Sequence, residues 1–239
     1  VKEAIFGPAG MNLDGNLEAH LAVLLYLGTA LLLAMGASAG LCFVIRRRWR
    51  WAGRTAVAML AVMVAYLAVL VGFSLASRET VLASGENKYL CAMDCHAAYA
   101  VVEVKQEKTV GGPAHPLSAR GTYYVVTLRT WFDGSTTAPW RPKTAPLTPD
   151  ARLVEVVDEQ GRRFPESREA EQALAESGVG STPLAQPLLP DTSYTTVLVF
   201  DLPAETRAPR LLVSQAAPAL LIGNESSWLH AKTWFRLGG

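Results

Sequence analysis

Charge is what this chain has little of, and where it is missing matters more than the total. There are 22 Lys and Arg residues against 21 Asp and Glu, a net charge of +1 over 239 residues. A balance that even, with no basic stripe, excludes a nucleic-acid partner. Charge is missing altogether from Leu21 to Ile45 and from Thr55 to Ala76. Each stretch exceeds the roughly 20 apolar residues that a helix needs to cross a bilayer core. No ionisable group sits at mid-depth in either, which argues against an ion pathway, a proton relay or a pump within one chain.

Cysteine is scarce too. Cys42 lies in the first apolar run and reads as a small packing residue. Cys91 and Cys95 stand together, and the C-terminal third has neither Cys nor Met. That absence argues against a binuclear copper site of the kind held late in the β domain of oxidase subunits with a two-helix anchor. Enzyme signatures are missing as well. There is no H-E-x-x-H and no phosphate loop. The expectation is a chain that is not an enzyme and has no catalytic residues.

What is present is a hairpin. Arg46, Arg47, Arg48, Arg50 and Arg54 cluster between the two apolar runs, with Trp49 and Trp51 among them. Short loops rich in Arg stay on the cytoplasmic side, and such a loop suits anionic headgroups of membrane lipids. Both outer ends of the hairpin, and everything after Ser77, then lie outside. The first run is too long for a cleavable signal peptide and has no basic segment before it. Gly36 and Gly40 form a small-xxx-small pair on the first helix. They suit close packing on the second helix, where Ala56, Ala61, Ala65 and Ala68 offer a small face, with a foreign helix as the alternative. His20 sits at the outer edge of the first helix, where it reads as solvated rather than as a pigment or haem ligand.

The remainder reads as β. Ala98 to Glu107 alternates, with Ala100, Val102 and Val104 on one face. Gly121 to Phe132 and Ser193 to Leu202 are the clearest strands. Arg152 to Val157, Arg163 with Phe164, Arg210 to Ser214, Ala219 to Ile222 and Lys232 to Leu237 complete the set. One short helix is expected over Ser167 to Ser177, stopped by Gly178. Thr136–Pro149 and Thr182–Pro190 are proline-rich loops suited to contact surfaces. Short strands at this spacing indicate an antiparallel β-sandwich. The predicted fold class is therefore a membrane-anchored α+β chain: a transmembrane helical hairpin followed by an antiparallel sandwich. The divisions are an outer-surface segment (1–19), the hairpin (20–77), a linker (78–88) and the sandwich (89–239), placing the chain in a bacterial inner membrane with its large domain in the periplasm.

Pro187-Leu188-Leu189-Pro190-Asp191-Thr192-Ser193-Tyr194-Thr195-Thr196, then Val199-Phe200-Asp201-Leu202-Pro203 and Arg210-Leu211-Leu212-Val213, carry a resemblance. The region after Tyr89 resembles the bacterial telokin-like, immunoglobulin-like domains of membrane-anchored extracytoplasmic proteins. The resemblance implies a seven-stranded sandwich and a structural or interaction role, with the ligand open.

Cys91-Ala92-Met93-Asp94-Cys95-His96 lies outside that pattern. A disulfide between Cys91 and Cys95 suits an oxidising compartment and requires a local turn at Ala92-Met93-Asp94. Haem attachment would need Cys91, Cys95 and His96 at a spacing one residue longer than C-x-x-C-H. Copper could use the same soft ligands. The expected state is the disulfide, with no metal and no cofactor; an electron-transfer protein with haem or copper on Cys91, Cys95 and His96 is the alternative. His115 and His230 read as surface residues. Asn224-Glu225-Ser226 spells a glycosylation triplet, and Trp228, Trp234 and Phe235 read as core or interface anchors. The functional expectation is a non-catalytic accessory subunit that docks its sandwich on other integral membrane subunits of a larger assembly, such as those of respiratory or photosynthetic electron transfer. An envelope-sensing binding module is the further alternative.

Overall fold

The computed structural model of the protein describes residues 15–91, 96–113, 115–215 and 217–238, with the backbone alone at 15–19, 91, 96 and 152. The chain divides into two compact units, Val1–Ala68 and Val69–Gly239.

The first unit holds helix α1, Gly15–Ile45, and most of helix α2, Trp49–Ala76. Both are apolar on every side, and a helix of that kind is either buried or in lipid. These are not buried by their own chain: in each, 6% of the most apolar 18-residue window is enclosed. Both are long and apolar enough to cross a membrane. The turn between them is a Schellman motif. Arg47 donates its N–H to Val44 O at 2.9 Å, and Arg48 donates to Phe43 O at 2.8 Å. Arg47 takes the left-handed position, φ 55°, that glycine usually fills. Arg54 lies 5.1 Å from the centre of the Trp51 ring, a cation–π contact.

The second unit is a two-sheet sandwich. One sheet has four strands in the order β2 (Lys88–Cys91), β3 (His96–Val110), β4 (Leu117–Asp133), β7 (Ser193–Leu202). The other has five, in the order β1 (Thr80–Leu82), β9 (Thr233–Arg236), β8 (Arg210–Gln215), β5 (Ala151–Val157), β6 (Arg163–Pro165). Tyr99, Val101, Val126, Leu128 and Phe200 of the first sheet meet Val156, Leu211, Val213 and Phe235 of the second in one buried core. Helix α3, Arg168–Glu176, packs Ala170 and Leu174 on the outer face of the four-stranded sheet, against Val110, Tyr123 and Val199.

Several sequence expectations change here. The sandwich is not purely antiparallel: β1 pairs parallel with β9, Thr80 opposite Thr233 and Leu82 opposite Phe235. The reason is local. Ala231 N–H donates to Ser77 Oγ at 2.8 Å, so the two strands leave neighbouring points and run the same way. The stretch 78–88 therefore contains β1 and the start of β2. Among the described residues the sandwich has nine strands rather than the seven the resemblance implies. Ala219–Ile222 is a turn, with Leu221 N–H on Pro218 O at 3.0 Å, because a proline there supplies no ladder donor. In β3 a register shift between Val101 and Glu103 turns the face over. Ala97 to Val101 are all buried, Ala100 included, whereas Val102 is exposed and Val104 packs on the core with Tyr99 and Val101, so Ala100, Val102 and Val104 do not form one face.

Residues of the family-like motif have visible structural tasks. The Asp201 carboxylate accepts from the N–H groups of Arg120 and Gly121, at 3.0 and 3.2 Å. Asp191 accepts from Gly134 N–H at 3.1 Å. A Cβ at Gly121 would overlap the Leu202 carbonyl, so the strands can approach there only at a glycine.

Candidate functional site

An open side of the sandwich runs along β7, which is an edge strand. Unpaired edge groups invite association, and here they are covered. Val199 O accepts from Ser167 N–H at 2.7 Å, and Val199 N–H donates to Glu171 Oε1 at 3.1 Å. Val197 N–H donates to Ser181 Oγ at 2.9 Å, and Thr195 O accepts from Thr182 N–H at 3.1 Å. Tyr194 donates its hydroxyl proton to Leu184 O at 2.5 Å. The segment from Ser167 to Leu184 is thus fastened to β7 along its length. Between segment and sheets lies a groove of about 640 Å³, a volume ordinary for small-molecule sites. Val154, Leu174, Val179, Leu184 and Leu198 give it an apolar lining, and Glu166, Arg168 and Glu171 give it charge.

Glu166 is the unusual member. It makes no hydrogen bond or ion pair among the described residues. Burial, then repulsion by the Glu171 carboxylate, push its carboxyl up to about 7, and Arg168 offsets only part of this. Burial raises the Glu171 carboxyl too, against the bond from Val199 N–H. The arrangement favours a proton or an organic cation over two bare carboxylates. The sequence reading did not single out this pair, because nothing in the local pattern distinguishes Glu166 and Glu171 from other acidic residues beside a short helix. Only the fold shows that Glu166, just before α3, and Glu171, on it, line one groove beside an edge strand.

The sequence-predicted candidates are distributed differently. Cys91 ends β2 and His96 begins β3, with the two backbones directly opposite in the antiparallel pair. The Cys91–Cys95 disulfide, and haem or copper on Cys91, Cys95 and His96, fall on side chains that lie outside the described residues. Among the described residues no group of three His, Cys, Asp or Glu could hold a metal ion. Gly36 faces the second helix, but its neighbour is Met59, whose Cγ would stand 2.7 Å from a Cβ placed there. Thr55 Cγ2 lies 3.9 Å from one at Gly40. Arg46, Arg47, Arg48, Arg50 and Arg54 are all exposed around the turn. Gly36-Ala37-Ser38-Ala39-Gly40 matches the letters G-x-S-x-G, a signature the sequence reading wrongly counted among the missing ones. That signature requires a strand-to-helix elbow. Here Ser38 lies inside α1 and donates its hydroxyl to Ala34 O at 2.9 Å, a back-bond within the helix.

The glycosylation triplet has a structural use. Asn224 Oδ1 accepts from Ser226 N–H, and Glu225 holds Lys88 in a buried ion pair at 2.7 Å. Lys88 also donates to Thr233 O at 2.8 Å, and Thr233 N–H donates to Glu225 Oε1 at 2.6 Å. Burial lowers the Lys88 ammonium, opposed by Glu225.

No family model matches the chain, and no curated protein matches it. Among solved structures it is similar to MPT63, a secreted protein from Mycobacterium tuberculosis, at 8% identity and a TM-score of 0.41, over 67% of this chain and 99% of that one. It is similar to a conserved hypothetical protein from Bacillus anthracis at 15% identity and a TM-score of 0.40, over 54% and 89% of the two chains. An uncharacterised β-sandwich protein from Clostridium difficile matches at 10% identity and a TM-score of 0.37, over 68% and 96%.

Proposed function

We propose that this protein is a non-catalytic accessory subunit of a bacterial inner membrane, anchored by α1 and α2. It carries its sandwich on the outer, periplasmic side and docks that sandwich on a larger membrane assembly. One observation carries the reading: two long helices expose apolar side chains on every side, with Leu24, Leu31, Val57 and Leu75 all more than half exposed. Helices of that surface are insoluble in water and at home in lipid. The arginine-rich turn sets the orientation, by the rule that short cationic loops remain cytoplasmic. The sandwich is of the telokin-like, immunoglobulin-like kind, and the two capping aspartates Asp191 and Asp201 support that reading. Respiratory or photosynthetic electron-transfer complexes are suitable hosts.

Two experiments test this. The protein stays in the pellet when membranes are washed with alkaline carbonate; release would remove the anchor. After gentle detergent extraction it migrates with other integral subunits; a strictly monomeric species would remove the docking role while leaving the anchor.

The groove beside β7 favours a second reading, a binding module for a small organic cation. Its motive is the unpartnered Glu166 carboxyl in an apolar cleft. Simple alkyl amines raise the unfolding temperature of the wild-type protein and not that of Glu166→Gln; equal behaviour of the two proteins would dismiss it.

A further inference from the structure

The loop of residues 217–231 has a surface that the groove and the anchor leave unexplained. Leu220, Trp228 and Leu229 are 45%, 59% and 54% exposed. They lie close together, because Trp228 N–H donates to Ala219 O at 2.9 Å. Leu229 is also held at φ 62°, a left-handed conformation that a leucine rarely adopts. Strained residues that present a side chain to solvent occur at working surfaces.

The loop's position is fixed by what it touches. Ala231 N–H donates to Ser77 Oγ, and Thr80 N–H donates to Lys232 O at 3.2 Å. Ser77 immediately follows α2, whose last turns expose Phe73 and Leu75, 60% and 71% accessible. All of these residues belong to the second compact unit. Three residues of extended chain reach at most about 11 Å, so the Trp228 backbone lies no further than that from Ala231 at the helix end. The headgroup layer outside the hydrocarbon core is roughly 5–7 Å thick on each side. A tether of that length is long enough to span that layer, where tryptophan is enriched because one edge is apolar and the other polar. Arg78 and Lys232 flank the contact and suit anionic headgroups.

We propose that Leu220, Trp228 and Leu229 form a foot that rests in the outer leaflet of the membrane crossed by α2, and so fix the sandwich against the lipid surface. This rests on the reading of α2 as a membrane helix. The lipid surface is the occupant because the loop is hydrogen-bonded through Ala231 to Ser77, directly after the helix whose last turns expose Phe73 and Leu75.

Depth-resolved quenching tests it on the full chain, reconstituted into vesicles of phosphatidylcholine and phosphatidylglycerol. Acyl chains are brominated near the headgroup in one preparation and near the bilayer centre in another. Emission of Trp228 is obtained by subtracting Trp228→Phe from wild type, with Trp228→Tyr as a second subtraction. Trp140→Phe serves as a control on a different exposed loop. The shallow bromines are expected to quench the Trp228 emission at least twofold, with the deep ones having little effect and Trp140 unaffected. Unquenched Trp228 emission, with Trp49 and Trp51 still quenched, would overturn the foot and leave the anchor standing. Trp228 emission shielded from both bromolipid and aqueous iodide would overturn it in favour of a protein partner or a second copy. No quenching of any tryptophan would overturn foot and anchor together.

Discussion

Glu166 keeps its proton at a pH where most carboxyls have lost theirs, and this has a consequence for stability. Its folded value is about 7, against an ordinary 4.5. Below 4.5 both the folded and the unfolded chain carry the proton, and the group contributes nothing. Between about 4.5 and 7 the folded state holds more protons than the unfolded one, so stability falls as pH rises through that window. Above 7 the loss is complete. Glu166→Gln is therefore expected to unfold at a higher temperature than wild type at pH 8 and to match it near pH 4; equal displacement at both pH values would show that charge is not the cause. Gly121 makes a sharper claim. Its Cβ would meet backbone rather than a movable side chain, so Gly121→Ala is expected to cost about 3 kcal/mol in denaturant unfolding of the sandwich. Such residues are only half legible in a sequence. Asp191 and Asp201 stand out as part of a family-like pattern, but Arg120 and Gly134, the backbone partners that explain them, are far away along the chain.

Whole elements were legible where one signal dominated. Strand β7 runs Ser193–Leu202 as its alternation predicts, with Leu198, Phe200 and Leu202 in the core. The two apolar helices follow from composition alone, and α3 from its run of Ala, Glu and Leu ended by Gly178. Strand β1 was not legible. Three residues have no periodicity to detect, and its pairing partner lies at the other end of the domain. The bulge in β3 was hidden for a related reason: an apolar run through Ala97–Val102 fits either face until cross-strand partners choose one. At the helical turn the structure makes a testable statement about one element. Arg47 occupies a left-handed position that costs a non-glycine residue on the order of 1 kcal/mol. Arg47→Gly is expected to stabilise the hairpin by up to that amount in detergent, measured by thermal unfolding of the helical signal. It should leave orientation unchanged, since Arg46, Arg48, Arg50 and Arg54 remain. A destabilised hairpin would mean that the Arg47 side chain contributes more than its backbone conformation costs.

At the scale of the whole chain, the sandwich is held shut on the β1–β2 side by the buried pair of Lys88 and Glu225, which joins β2 of one sheet to β9 of the other through Thr233. Breaking a buried pair leaves an uncompensated charge, whereas replacing both partners does not. Glu225→Gln is expected to cost roughly 3 kcal/mol in chemical denaturation, and Lys88→Met with Glu225→Leu much less. Equal losses from the single and the double replacement would place the energy elsewhere. Neither residue announced this role: Lys88 read as the end of a linker and Glu225 as the middle of a glycosylation triplet. The parallel pairing of β1 with β9 carries a further consequence, in time rather than in energy. The first strand made after α2 must wait, unpaired, for the strand that closes β8. At roughly 5–20 residues per second of synthesis, that wait lasts many seconds while the intervening chain emerges. A ribosome-bound chain arrested before Thr233 should therefore be degraded readily by added protease within the sandwich, and one arrested well beyond Arg236 should resist. The sandwich would then gain its first strand only when its last is made, although β2, β3 and β4 are neighbours that pair in the order they emerge.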